Sequence, residues 1–525
     1  MTSVALRPFG SPAFRVLWVA TVVSTTGTWI HDVGATWLMT GLTPSPIMVS
    51  LVQTATTMPV LALALPAGVL ADVLDRRRVL IAAQLWMTIA ALVLGLLTLS
   101  GRTTPATLLV MTFVLGIGAA LTAPAWQAIV PELVATVDVP AAITLNSAGV
   151  NVARAIGPAV GGLLIAANGP APAFLINAVT FMGVTAALVW WRRSVPPSVL
   201  PPEPLVAALG VGLRYVRNTP PLITVLVRTL AFIAFGSALW ALLPLVARVR
   251  LGASVAGYGL LLGAIGIGAL SATVLLPVLR RRYSIERLVV VATLAYAVVL
   301  LVLATSNSYF VVFVTLLLAG SAWLTLLSTL QTSAQATVPS WVRGRALAVY
   351  LMVFFGGQAG GSIVWGAVAE LLGSSASLVI AACGLVLGLT TARRYPLHTA
   401  GHSDQSPSHH WPMPESSPGG APERGTRVVV VMTEYLIDPG SSVAFSAAMR
   451  EMRAARMRSG AVRWQLANDL SRPERFVEQF TVPTWDEHLR QHARVSIADE
   501  DVQRKVRAFH RGVDPPAVTH LIAVY

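Results

Sequence analysis

Gln127-Ala128-Ile129-Val130-Pro131 comes back further along the chain as Gln335-Ala336-Thr337-Val338-Pro339. In the same way, Gly157-Pro158-Ala159-Val160-Gly161-Gly162 comes back as Gly356-Gly357-Gln358-Ala359-Gly360-Gly361. A third pair, Arg76-Arg77-Arg78 and Arg280-Arg281-Arg282, follows an apolar segment in each half at a compatible offset. Matched landmarks in register mean that most of the first 394 residues is an internal duplication. Duplicated apolar halves are how many secondary transporters are built.

Composition points the same way. Hydrophobic residues make up 55% of the 525-residue chain and charged residues only 11%, where soluble domains carry about 25% charged residues. Such a chain belongs in a bilayer. Hydrocarbon about 30 Å thick takes roughly 20 residues of helix, and twelve apolar runs of that length occur, six between 13 and 191 and six between 221 and 392. The first run extends past signal-peptide length without a small-residue cleavage site, so it reads as a retained helix. The single cysteine, Cys383, excludes an internal disulfide and a multi-cysteine metal site. A net charge of +14 would suggest nucleic acid in a soluble protein, but here the arginines sit in short loops and act as topology signals. No nucleic-acid partner is expected.

Basic residues mark the cytoplasmic side. With the N-terminus inside, that side receives Arg76 to Arg78, Arg192, Arg193, Arg280 to Arg282, Arg343, Arg345, Arg393 and Arg394, while the outside receives only Arg102, Arg248 and Arg250. Both termini are then cytoplasmic. The loop around Glu132 and Asp138 dissents, with no Arg or Lys.

The chain divides into a six-helix bundle (1–192), a cytoplasmic interbundle loop (193–220), a second six-helix bundle (221–394), a flexible linker (395–425) and a soluble domain (426–525). The interbundle loop carries three Pro-Pro pairs around Glu203 to Asn218, a candidate amphipathic surface helix. The linker is rich in Pro, Ser, Gly and His, and its histidines (His398, His402, His409, His410) lack a rigid scaffold for a metal. The last domain reads β-α-β-β-α-β, the ferredoxin-like α+β order. Within it, His488 and His492 are four apart on one helix face, which is metal-ligand spacing, but two ligands without a third make a weak site. No metal or cofactor is expected.

Ionisable residues inside the apolar runs are the sharper clue, since each costs about 2.5–3.5 kcal/mol near a helix centre and so needs a role or a partner. Asp32, Arg154 and Arg228 are such residues. Asp32 lies inside the outer end of the first helix, where a carboxyl could load a proton from outside and release it inside. Arg154, near the middle of the fifth helix, should face a central cavity and attract Asp32 or an anionic substrate. Arg228 is a candidate for the same role in the seventh. His31 is about 100° around the helix from Asp32 and reads as packing. Cavity polarity is expected from Gln53, Gln84, Gln127, Gln331, Gln335 and Gln358, with Trp29 able to stack on an aromatic substrate. Gly157, Gly161 and Gly162 allow close helix approach, and Pro158 removes a backbone donor.

The stretch Gly68-Val69-Leu70-Ala71-Asp72-Val73-Leu74-Asp75-Arg76-Arg77-Arg78 resembles the signature loop between helices 2 and 3 of the major facilitator superfamily. Gly68, Asp72, Arg76 and Arg77 match, whereas Asp75 stands where that pattern usually has glycine. The run Gly157-Pro158-x-x-Gly161-Gly162 resembles the motif of its proton-coupled exporters, although helix 4 lacks the usual arginine. The branch it resembles is that of the transmembrane secretion effectors, which includes an enterobactin exporter. The resemblance implies an all-α membrane protein of twelve helices in a bacterial inner membrane, with Asp72 and the arginines as a gating latch. It also implies proton-coupled efflux (antiport) of a small amphipathic metabolite, siderophore or drug by alternating access. An importer of the same fold is the competing expectation. The run Trp485 to His492 resembles dimeric α+β barrel domains that include cofactor-free monooxygenases; a regulatory or homodimerising module is expected there, and a membrane-tethered enzyme is the remaining alternative.

Overall fold

A computed structural model describes residues 4–192, 205–339, 341–397, 408, 411 and 428–523. The linker expected over 395–425 lies almost wholly outside the described residues, as do its histidines and the first two Pro-Pro pairs of the interbundle loop.

The first half folds as α1 (Pro12–Leu42), α2 (Pro46–Val73), α3 (Arg76–Leu99), α4 (Pro105–Ile129), α5 (Val139–Asn168) and α6 (Ala171–Trp190). Helix starts follow local chemistry. Pro12, Pro46 and Pro105 occupy first positions, where a missing N–H costs nothing, and the Ser11, Asp75 and Thr104 side chains accept from backbone N–H groups of the first turn. After α7 (Leu205–Arg217), the second half runs α8 (Pro220–Leu245), α9 (Val255–Arg282), α10 (Ile285–Thr305), α11 (Tyr309–Ala336), α12 (Arg343–Leu372) and α13 (Ser374–Gly388), with a further turn α14 (Thr391–Arg394).

Among the described residues, eleven helical segments are long and apolar enough to cross a membrane. The twelfth long helix of the repeat, α1, is not among them, because Thr21, Ser24, Thr25, Thr28, His31 and Asp32 dilute its apolar residues. The helix outside that set carries the polar stripe.

Packing repeats as well, one residue out of the sequence match, since Gly356 faces Leu61 and Gly360 faces open space. Gly157 and Gly161 of α5 lie against α1, where an added Cβ would sit 2.6 Å from Trp29 Cβ and 2.9 Å from Ile30 Cα. Gly357 and Gly361 of α12 lie in the same way against α8, 3.0 Å from Ile233 Cγ2 and 2.8 Å from the Ala234 carbonyl. A cross-contact between the halves repeats too. A Cβ on Gly162 would stand 2.8 Å from the Val255 carbonyl of α9, and one on Gly366 of α12 would stand 3.1 Å from Ile47 Cα of α2. These approaches are tighter than ordinary side-chain contacts, so small residues set the helix spacing.

Contacts divide the chain into two compact units, one of residues Met1–Pro202, Val225–Thr332 and Tyr350–Leu397, the other of Glu203–Thr224, Ser333–Val349 and His398–Tyr525. The second unit thus joins α7 and the 333–349 segment to the soluble tail. Within it, Arg458 donates to the Asn218 carbonyl at 3.2 Å, Tyr215 Oη donates to the Thr337 carbonyl at 3.0 Å, and the Arg494 guanidinium lies 4.5 Å from the Trp341 ring centroid.

The tail contains β1 (Val429–Leu436), α15 (Ser442–Ser459), β2 (Arg463–Asn468), β3 (Arg475–Val482), α16 (Trp485–Arg494), α17 (Ile497–Arg507) and β4 (Val518–Ile522). The antiparallel sheet runs β2-β3-β1-β4, the ferredoxin-like order. β1 alternates buried and half-buried residues, as a strand with one covered face must. Phe445, Met449 and Met452 of α15 pack with Tyr435 and Phe476 to form its core.

Candidate functional site: a hydroxyl-lined chamber in the first bundle

Thr21, Thr25, Thr28 and Asp32 recur every three or four residues along α1, so they share one helix face. That face lines a chamber of about 410 Å³ to which α1 to α6 all contribute. Its other polar residues include Thr56, Gln84, Thr112, Thr122, Asn146 and Asn177, and Met87, Phe181 and Trp126 supply apolar wall.

The chamber surface is mostly apolar, set with polar side chains and a single carboxylate. Thr25, Thr28, Thr112 and Thr122 donate to the backbone carbonyls four residues earlier, at 2.8–3.0 Å. Their hydroxyl protons are therefore engaged, and what they offer a guest is acceptor lone pairs and methyl groups. Trp126 Nε1 donates to Asn146 Oδ1 at 3.2 Å, and the buried Gln84 Oε1 has no partner among the described residues. Asp32 makes no hydrogen bond or ion pair among the described residues and lines the chamber. His31 also lines it, edge-on to Phe174 with ring centroids 4.7 Å apart.

Arg154 of α5 is not a lining residue. Its guanidinium carbon lies 5.8 Å from the Trp29 ring centroid, its Nε has no partner, and it forms no ion pair with Asp32 among the described residues. Arg228, expected at a cavity, is 4% exposed and bonded to Glu286 at 2.8 Å, because a buried guanidinium needs a counter-charge. Gln127, Gln331 and Gln335 are exposed, Gln53 is half-buried and Gln358 is buried in α12. None of these lines the first-bundle chamber. Thr21, Thr25, Thr28, Asn146 and Asn177 were missed as lining residues, although the spacing of the threonines on α1 was a readable signal.

The signature loop is an anchor point. Arg76 pairs with Glu132 at 2.7 Å, tying α3 to the end of α4. Arg77 donates to the carbonyls of Leu188 and Val189 at 2.7 and 2.8 Å, satisfying orphan acceptors at the end of α6. Asp75 caps α3 by accepting from the Arg78 N–H at 2.9 Å, a reason for aspartate where glycine is usual. Gly68 lies in α2 with open space around it, and the side chain of Asp72 lies outside what is described.

With two repeated halves and an internal chamber in view, similarity to known proteins can be stated. A staphyloferrin A transporter of Staphylococcus aureus is 26% identical over 255 residues, covering 48% of this chain and 63% of the relative. The multidrug efflux pump Tap of Mycobacterium tuberculosis is 29% identical over 216 residues, covering 39% of this chain and 51% of the relative. The chain thus spans less than two thirds of the length of either. Among solved structures, a bacterial homologue of the human lysosomal transporter Spinster, inward-facing and occupied, matches with a TM-score of 0.60 at 17% identity, covering 74% of this chain and 98% of that one. The nucleoside transporter NupG matches with a TM-score of 0.55 at 14% identity, over 74% and 100%. At those identities the likeness shows the fold alone. The family profile described as a transmembrane secretion effector covers residues 3–525, taking in both repeated halves and the tail. The chain therefore belongs to the transmembrane secretion effectors of the major facilitator superfamily.

Proposed function

We propose that the chain is a proton-coupled exporter that binds small amphipathic compounds in the α1–α6 chamber and releases them outward in exchange for protons at Asp32. The observation carrying this reading is a carboxylate that lines the chamber with no bonded partner among the described residues. A lone carboxylate there is neutralised by a proton or by a guest that donates to it. Mutual exclusion of the two is the minimal logic of antiport. Methyl, hydroxyl and aromatic wall suits a guest with both apolar and hydrogen-bonding surface. A relative named as a multidrug efflux pump supports outward movement, and another named as a staphyloferrin A transporter supports a small-molecule cargo.

Alternating access would run along the glycine seams. Gly157 and Gly161 let α5 ride on α1, beside Asp32, and Gly162 brings the same helix onto α9. Occupancy at Asp32 is then felt by the helix that joins the halves. Arg76 and Arg77, with Asp72, form the latch at the signature loop, and Arg154 tunes the charge near Trp29. The arginine asymmetry supports an inner-membrane orientation with both termini in the cytoplasm.

The test is flux in everted membrane vesicles energised with a pH gradient, using a cationic amphipathic dye as probe. Proton-dependent uptake into everted vesicles, abolished by a protonophore, is the expected result; uptake only into right-side-out vesicles would mean an importer.

A further inference from the structure

α16 places His488 and His492 four residues apart on one face. β4 adds a third imidazole. His520 pairs in register with Val431, a core residue 2% exposed, and so lies on the helix-covered face of the sheet. One ring nitrogen from each of the three lies within 4.8 Å of the others. We propose that His488, His492 and His520 form a binding site for a divalent transition-metal ion of the zinc type, held by three neutral imidazoles.

A polar relay fixes the first ligand. Ser459 Oγ donates to the Arg456 carbonyl at 3.1 Å and accepts from Gln491 Nε2 at 3.0 Å. That orients the amide so that Gln491 Oε1 faces His488 Nδ1 at 3.2 Å. Nδ1 must then carry the proton, which leaves the Nε2 lone pair free for a metal. His488, Gln491 and Ser459 are all buried, so the relay has little freedom to rearrange.

Distance completes the argument. His488 Nε2 and His492 Nε2 are 3.3 Å apart. Two imidazoles on a tetrahedral zinc, each at about 2.05 Å from the metal, have nitrogens about 3.3 Å apart. The pair already has the edge length of a coordination tetrahedron, and the half-buried His520 on the sheet-edge strand β4 needs only a side-chain shift to close the third corner. Three neutral nitrogens suit Zn²⁺, Co²⁺, Ni²⁺ or Cu²⁺ rather than Mg²⁺ or Ca²⁺, which take oxygen ligands. The fourth position is left for water.

The test uses the full chain, purified in detergent with a tag that contains no histidine and stripped with a chelator. It is loaded with Zn²⁺, desalted and assayed for bound metal, and Co²⁺ is titrated separately while the visible spectrum is read. The expected result is one Zn²⁺ per chain and a tetrahedral Co²⁺ band that Zn²⁺ abolishes. His520→Ala, at a half-buried strand position, should lose that band and weaken Zn²⁺ binding at least tenfold while the melting temperature of the stripped protein is kept. Gln491→Leu, acting through His488, should weaken binding about tenfold, the low end for loss of a ligand's hydrogen-bond partner. Serine at His398, His402, His409 and His410 together should leave binding unchanged. Absence of Zn²⁺ from the desalted wild type overturns the proposal, as does metal that survives His520→Ala but disappears with the four linker histidines.

Discussion

Two carboxylates enclosed by the protein have opposite surroundings. Glu478 in β3 is fully buried and accepts from Arg456 Nε and Nη2 at 3.0 and 3.2 Å, from Trp464 Nε1 at 2.9 Å and from Tyr435 Oη at 3.3 Å. Asp32 in α1 lines a chamber and has no bonded partner among the described residues. Saturated with donors, the first is a structural charge whose removal leaves a buried cation unpaired. The second has nothing to hold up. A protein keeps a costly, unsatisfied carboxyl inside a membrane segment only when the vacancy is used.

Breaking the saturated carboxylate should have the largest effect. Glu478→Gln leaves Arg456 buried and unpaired between the rings of Trp411 and Phe480, and is expected to destabilise the tail by about 3–5 kcal/mol. Thermal unfolding followed by tail tryptophan fluorescence checks this. If stability is unchanged, Glu478 is not the structural member of the comparison.

Next comes the seam beside Asp32. Gly161→Val puts a branched side chain where even a Cβ would stand 2.9 Å from Ile30 Cα. Transport should fall at least tenfold with the protein still in the membrane, measured as vesicle flux normalised to expression. Its packing counterpart in the second half, Gly361→Val, against the Ala234 carbonyl and Ser237 of α8, should show a loss of similar size if the two halves move alike.

Smallest is the chamber wall. Thr28 Oγ1 already donates to the Ser24 carbonyl at 3.0 Å, so Thr28→Val removes only an acceptor, and hydrogen bonds of this kind are worth about 0.5–1.5 kcal/mol. A rise in KM of up to about tenfold, with Vmax kept, would sharpen the picture of a chamber that recognises guests through many weak contacts. A selective loss of Vmax would contradict it.

Much of this was legible in the sequence. Twelve apolar runs became twelve long helices, and the β-α-β-β-α-β pattern of the tail gave its sheet order. Asp32 was legible because one carboxyl in a membrane helix is conspicuous. Of the six glutamines expected at a cavity, Gln84 lines the chamber; for the others, helices apolar all round offer no stripe that says which face meets a cavity. Gln127, Gln331 and Gln335 therefore ended up exposed. Arg228 found Glu286 at a different helix start, and His520 joined His488 and His492 through strand pairing. Both depend on contacts between residues far apart in sequence. Likewise, the grouping of α7 and residues 333–349 with the tail needed the folded chain.

The most direct measurement compares wild type with Asp32→Asn in everted vesicles, recording dye flux against an imposed pH gradient together with the melting temperature of the purified proteins. Neutralising a charge that supports no partner should leave the melting temperature unchanged or higher while proton-driven flux falls at least tenfold. Proton-driven flux at the wild-type level in Asp32→Asn, or a collapse of stability without Asp32, would contradict the account.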